Sequence, residues 1–367
     1  MHYCFVTGLY SRTDSLMVYR QGKSLVEAGF QVTYVVCDEL PDEVKYGIHI
    51  VSTGYKPSGR LNRFLNTRRI IKQYINKIDA DVYQISDPEL MSLVTYIKRK
   101  GKKVVFNLRE YYPDLLQQKS YLPAFILNYI SRGYALMMDK YLKNYDAIFT
   151  VTDWILTQLK DRHNMAHAKL LTNFPIVNKE FSLSKEEYMM RENTLCYIGS
   201  IYTRSHQEKV LDALSTIPNV KYLIAGRFED GVNYVENHPY WENVEFINGF
   251  HRSEMEAIMS RATISNTLRD FMGRDGSLGV IKIFESMEQG LPVLLSDVPL
   301  YRHIVAKYSC GVCVDPNNSE AIAKAIKYLV ENKEEAYEMG QRGREAILKE
   351  YNWQKQAEKY IDVISNL

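Results

Sequence analysis

Apolar positions in this chain come in short runs separated by longer stretches of helical spacing. Residues 2–7 form the first run and stop at Gly8; a polar loop follows, and residues 16–28 then carry apolar side chains at helical spacing until Gly29. Residues 31–37, rich in Val and Tyr, make the next run, so the opening predicts strand, helix, strand, the rhythm of a parallel sheet with crossover helices. Residues 82–85, 103–106 and 147–151 repeat the short run, each separated from the next by enough chain to hold a helix.

This alternation predicts a Rossmann-like half. Between residues 173 and 193 it lapses into NFPIVNKEFSLSKEEYMMREN, where a proline and a run of charge predict an interdomain linker. Residues 194–198, 220–225, 244–247, 262–265 and 292–295 then predict a second half of the same kind. Residues 335–367 are helical in pattern and carry no strand, which suits a segment packed outside or crossing back to the first half. The expected architecture is α/β: two Rossmann-like domains facing across a cleft, 1–175 and 176–349, with a helix at 350–367 joining the first.

Length agrees, because 367 residues exceed the ~250 to 300 at which one core stops growing. With 46 basic and 44 acidic residues the net charge is +2, which gives no general field for nucleic acid, so any basic recognition must be local and no nucleic-acid partner is expected. The first residues lack a basic lead with a cleavable apolar region, and no stretch reaches ~18 uninterrupted apolar residues, so a cytoplasmic protein is expected. Cys4, Cys37 and Cys196 sit inside apolar runs and read as core. Cys310 and Cys313 form a C-x-x-C with no second pair or spaced histidines nearby, so they read as a strand edge, not a zinc or redox site.

Ligands of open parallel sheets bind beyond the carboxyl ends of strands, so the loops there carry the candidate chemistry. Gly276-Ser277-Leu278-Gly279 is small and polar and leads into a short helix ended by Gly290. Exposed amides and the helix dipole at such a start favour a phosphate, and Lys282 lies in the first turn, where the dipole otherwise disfavours a cation. Glu285, three residues on, shares its face and has the chemistry to accept from vicinal ribose hydroxyls. Spacing alone favours the plainer reading of a surface Lys–Glu pair.

The segment KIFESMEQGLPVL, 282–294, resembles the donor-binding helix of GT-B glycosyltransferases similar to family 4. That resemblance implies that Glu285 binds the ribose and that Ser277 and Gly279 lie against the diphosphate and the transferred sugar; Ser277 stands where many relatives have a glutamate. The run from Cys196 to Arg204 is similar to the family's first strand and phosphate loop of the donor domain, with Gly199 allowing close backbone approach and Arg204 supplying charge; Lys209 is a weaker candidate. Leu223-Ile-Ala-Gly226 and Phe246-Ile-Asn-Gly-Phe250 resemble loops that border the base, which implicates Gly249 and Phe250, against ordinary strand termination. Segments 310–316 and 351–353 resemble architectural parts of the fold.

In the first half, Ser86-Asp-Pro-Glu-Leu90 and the segment from Phe106 to Pro113 resemble two strand-end motifs of a family 4 branch whose histidines are here replaced by Ser86 and Arg109. The resemblance implies cleft positions for Asp87, Arg109 and Glu110, against a strand-end Arg109–Asp87 salt bridge that touches no substrate. Residues 14–20 resemble the family's opening of the first helix, which implies that the loop from Gly8 to Thr13 before it lies on the acceptor side with Arg12 and Arg20 as contacts, although a capping Asp14 and a solvated arginine explain the same letters. Asp79-Ala-Asp81 has a metal-binding form but precedes its strand, so no metal site is assigned.

The resulting expectation is a retaining glycosyltransferase with no cofactor beyond a nucleotide-sugar co-substrate, no covalent protein nucleophile, and a glycan or lipid-linked acceptor. Arg109, Arg204 and Lys282 are its expected catalytic cations. Residues 59–72 alternate basic and apolar positions and 122–142 are rich in Leu, Ile, Tyr and Met, so peripheral contact with the inner membrane face stands beside ordinary packing on the sheet. A sugar-nucleotide epimerase of the same fold and a degenerate subunit supporting a partner transferase remain as alternatives.

Overall fold

Short apolar runs become central strands here because a parallel sheet is covered by helices on both faces and its strands are buried throughout. The computed structural model describes residues 1–117, 123–229, 231–270 and 281–367. Its chain divides into two compact units, Met1–Asn173 with Trp353–Leu367, and Phe174–Asn352.

The first unit contains β1 (His2–Thr7), β2 (Gln31–Val36), β3 (Glu43–Lys45), β4 (Ile48–Ser52), β5 (Val82–Ile85), β6 (Lys103–Leu108), β7 (Ala147–Thr150) and β8 (Ala168–Leu170). Among the described residues they form one sheet in the order β3-β4-β2-β1-β5-β6-β7-β8, with only β3 antiparallel to its neighbour. Val6 stands opposite both Val35 and Ile85 in the register. The expected helix over 16–28 begins instead as a widened π turn, Met17–Gly22, in which the Gln21 N–H donates to the Leu16 carbonyl at 2.8 Å, and continues as Lys23–Glu27.

The second unit holds β9 (Thr194–Ile198), β10 (Lys221–Gly226), β11 (Val244–Asn248), β12 (Ile264–Asn266), β13 (Val293–Ser296) and β14 (Gly311–Val314), all parallel, in the order β11-β10-β9-β12-β13-β14. In each sheet the first strand has its sequence successor on one side and a later strand on the other. The order therefore reverses between β1 and β5, and again between β9 and β12, and loops leaving the carboxyl ends of those pairs border the ligand position of such sheets.

Residues 174–193 are not a loose linker. Phe174, Val177, Leu183 and Tyr188 are buried in the second unit, and Phe174 packs on Phe284 and Tyr351 with ring centroids 4.9 and 5.5 Å away. Arg344 donates to the carbonyls of Asn178 and Phe181 at 2.8 and 2.5 Å, tying the segment down where no regular ladder exists. The chain passes between units at Asn173–Phe174 and again at Asn352–Trp353. The last helix, Trp353–Ser365, belongs to the first unit: Trp353 Nε1–H donates to Ser24 Oγ at 2.9 Å, and the Tyr360 hydroxyl lies 2.9 Å from Gln84 Oε1.

Candidate functional site

At the β9/β12 reversal, three cations share one small pocket, bordered by Tyr197, Tyr202, Arg204, Thr267, Arg269 and Lys282. Arg204 sits in the turn Thr203–Ser205, which Ser205 closes: its hydroxyl donates to the Tyr202 carbonyl at 2.6 Å and accepts the Tyr202 N–H at 3.1 Å. The Arg204 guanidinium lies over the Tyr202 ring, 4.5 Å from its centroid. Arg269 leaves β12 on a backbone held at both ends of its peptide groups, with its N–H donating to Ser296 Oγ at 2.9 Å and its carbonyl accepting the Ser296 hydroxyl at 2.7 Å. The next amide, Asp270 N–H, donates to the Arg204 carbonyl at 2.7 Å and so binds the two loops together.

Lys282 enters from the helix Ile281–Glu288, which Ser286 anchors through a 2.6 Å hydroxyl contact with Ser265 of β12. The Lys282 ammonium lies 3.4 Å from the Tyr197 hydroxyl and over that ring, 4.9 Å from the centroid. Burial, with Arg269 and Arg204 adding to it and Glu285 opposing, lowers its pKa to about 8. Burial first and Arg204 second depress Arg269 as well. Repelling cations held together in a partly dry pocket make a site for a multiply charged anion.

Gly199, Arg204 and Lys282 are thus brought together, and Glu285 stands buried on the same helix as Lys282. Ser277 and Gly279 lie outside the described residues. Gly249 and Phe250 follow β11, two strands from β9, and Phe250 is half-buried against the core of the unit. Lys209 pairs with Asp212 at 3.3 Å on the surface. Arg269 was missed, since one arginine after a three-residue strand matches no motif.

In the first unit, Arg109 pairs with Asp14, not with Asp87: NH1 and NH2 reach the two Asp14 oxygens at 2.7 Å each. Asp14 caps the π turn, accepting from the Leu16 and Met17 amides at 3.1 and 2.8 Å, and Arg109 also stacks on Tyr10, 3.9 Å from the centroid. Asp87 instead accepts the Thr7 hydroxyl at 2.7 Å and the Gly8 amide at 2.6 Å, and Arg109 reaches it only through its charge. Burial raises the Asp87 pKa to about 7 against those two bonds, and the carboxyl serves to join the loops after β1 and β5. Arg12 is committed within the chain, to Asp38 at 2.7 and 2.8 Å, the Pro41 carbonyl at 2.9 Å and Glu43 at 3.0 Å, so the solvated arginine expected here is a clamp. Arg20 is buried, with NH1 donating to the Ser15 carbonyl at 3.2 Å. Glu110 is exposed beside Arg109.

Cys310 is buried and Cys313 lies on the edge strand β14, both as free thiols. Asp79 follows the helix Arg68–Ile78 in a left-handed conformation, and Asp81 accepts the His2 amide at 2.7 Å, so the two carboxylates serve the amino end of the sheet. Among the described residues no cluster of three or more His, Cys, Asp or Glu is placed to hold a metal, and no helix is long and apolar enough to cross a membrane.

Two family models match consecutive parts of the chain: Glycosyltransferase Family 4 over residues 15–174 and Glycosyl transferases group 1 over residues 178–346. No curated protein sequence matches it. Among solved structures it is similar to sucrose-phosphate synthase from Thermosynechococcus elongatus, at 16% identity and TM-score 0.76 over 100% of this chain and 98% of that one. It is also similar to Anabaena HepE in complex with UDP and glucose, at 11% identity and TM-score 0.73 over 100% and 99%. A third is WaaG, a glycosyltransferase involved in lipopolysaccharide biosynthesis, at 17% identity and TM-score 0.71 over 99% of both chains. Two parallel-sheet units of this kind define the GT-B class. The chain belongs to its family 4-like, group 1 glycosyltransferases.

Proposed function

We propose that this glycosyltransferase takes a sugar from a nucleoside-diphosphate donor, with uridine as the base, and passes it with retention of configuration to a hydroxyl of a glycan or lipid-linked acceptor. The observation that carries the reading is the convergence of Arg204, Arg269 and Lys282 on one pocket at the strand-order reversal of the second unit. Support for uridine comes from the HepE structures, solved with UDP and with UDP-glucose, and from the E. coli trehalose-6-phosphate structure bound with UDP-2-fluoro glucose.

The second unit takes the donor. Glu285 accepts from the ribose hydroxyls, Gly199 lets the diphosphate approach the backbone after β9, and the cations neutralise the departing diphosphate in a pocket that offers them little water. The acceptor oxygen attacks on the face the diphosphate leaves, without a covalent protein nucleophile. Gly8, Arg12, Asp87 and Glu110 shape the acceptor side of the first unit, the first three through the fixed loops described above, and Arg109, held by Asp14, is a further catalytic cation. No cofactor or metal is assigned to the reaction.

Thermal shift against UDP, GDP, ADP and pyrophosphate tests this. A ligand at ~100 times its Kd adds about 2.7 kcal/mol of stability, which raises the melting temperature visibly. The expected result is a shift with one nucleoside diphosphate that Lys282→Ala abolishes, while Glu285→Ala weakens the nucleotide and leaves the pyrophosphate shift intact. If no nucleoside diphosphate stabilises the wild-type chain, the donor reading fails.

A further inference from the structure

We infer that Arg269 is a third phosphate-contacting cation of the donor pocket, matched to the charge the leaving group gains and not to the charge the donor already carries. The inference rests on the donor-site reading above. In a sugar nucleotide each phosphate is esterified on both sides of the pyrophosphate and the pair bears two negative charges. When the bond from the anomeric carbon to the β-phosphate oxygen breaks, its electron pair stays on that oxygen and a third charge appears. The acceptor hydroxyl oxygen forms the new bond to the same carbon, and its proton passes to the departing phosphate.

Two cations suffice for the donor at rest, and among the described residues the pocket holds three. Lys282 has Glu285 to offset part of its charge. Among the described residues the strongest charge acting on Arg269 is that of Arg204, which repels it; the phenols of Tyr197, Tyr301 and Tyr202 oppose that effect, and Lys282 and Arg269 repel each other. Its Nε is a buried donor with no acceptor among the described residues. The backbone on which the side chain is mounted is held on both sides by Ser296, and the Asp270 amide fixes it to the Arg204 turn. A cation placed rigidly, with an unspent donor and no ion pair to any described residue, is preorganised for negative charge that is absent in the ground state.

Arg269→Gln, Arg269→Lys and Ser296→Ala test the assignment in the full chain. Isothermal titration first finds which of UDP, GDP and ADP the wild-type protein binds best; the same titration is then run with its glucose or mannose ester, and release of the diphosphate from that ester is timed without acceptor. Arg269→Gln is expected to weaken the free diphosphate by about tenfold or more, its sugar ester by about threefold or less, and to slow release in proportion to the first figure. Arg269→Lys should recover part of both, and Ser296→Ala should show the same selective loss in smaller degree, with circular dichroism unchanged in all three. Equal weakening of both ligands, or of neither, overturns the inference while leaving the donor site standing. A wild-type protein that binds no diphosphate and no ester overturns the donor site itself.

Discussion

The ammonium of Lys282 stands where a side chain on Gly199 would begin: a Cβ built there overlaps both Nζ and Cε of the lysine. Gly199 also has φ +122°, a region L side chains rarely adopt, so its missing side chain serves the backbone and the lysine at once.

Gly199→Ala is therefore expected to weaken nucleoside diphosphate binding at least ~10-fold by displacing Lys282, and to cost about 1 to 3 kcal/mol of stability through backbone strain. Titration calorimetry and urea unfolding measure the two effects separately. Adding Lys282→Ala relieves the overlap but should not restore affinity. Wild-type binding by Gly199→Ala would show that the lysine's position is not part of the site.

Lys282 also sets a pH dependence. Burial, then Arg269, hold its pKa down at about 8, so the empty pocket loses one cation as pH rises through that value. An anion favours the charged form; binding therefore takes up a proton near pH 8, and affinity falls above it. Titrations in two buffers of different ionisation enthalpy count that proton, and Lys282→Arg should flatten the profile because a guanidinium stays charged. Affinity that is constant from about pH 7 to about pH 9 would mean that the ammonium does not face the phosphates.

What could be read beforehand follows from how much of each feature is local. β1, β5 and β9 are buried along most of their length and show as apolar runs, whereas β3, Glu43-Val44-Lys45, is an exposed edge strand that reads as loop. Phe174, Val177, Leu183 and Tyr188 fill gaps between regular elements, so their spacing has no period and the segment looks like a linker. Gly199, Lys282 and Glu285 lie in recognisable segments. Arg109 is legible as a strand-end residue, but its partner Asp14 is 95 residues away and is brought to it only by the fold.

That pairing makes Arg109 a structural residue whatever else it touches. Both side chains are largely buried, so Arg109→Met leaves the Asp14 carboxylate without its counter-charge and should destabilise the first unit by about 3 to 5 kcal/mol. Burial pushes the Asp14 pKa up, but the Arg109 bonds and charge, with the Met17 and Leu16 amides, outweigh it and leave the value below 3.8. The stabilisation is accordingly full above that unfolded value and disappears as pH falls through the lower folded one. Urea unfolding of Arg109→Met and of the Asp14→Asn, Arg109→Met double variant checks this: the pair should recover most of the loss, and a single variant as stable as wild type would contradict the structure.

The helix Ala124–Tyr141 turns Leu127, Ser131 and Met138 inward, yet leaves Phe125, Tyr129 and Leu136 73%, 81% and 69% exposed. Their spacing of four and seven residues puts them on one stripe, with Arg132 and Lys140 exposed along the same side and Lys143 just beyond its end. An apolar stripe flanked by cations complements an anionic bilayer surface, where each cation adds about 1 kcal/mol and salt removes it. Flotation should show binding to phosphatidylserine-containing vesicles at low salt, little to phosphatidylcholine alone, and none for Phe125→Ser, Tyr129→Ser, Leu136→Ser, whose nucleoside diphosphate binding stays intact. Absence of binding at low salt, or a concentration-dependent dimer in ultracentrifugation that the triple variant abolishes, would assign the stripe to something other than lipid.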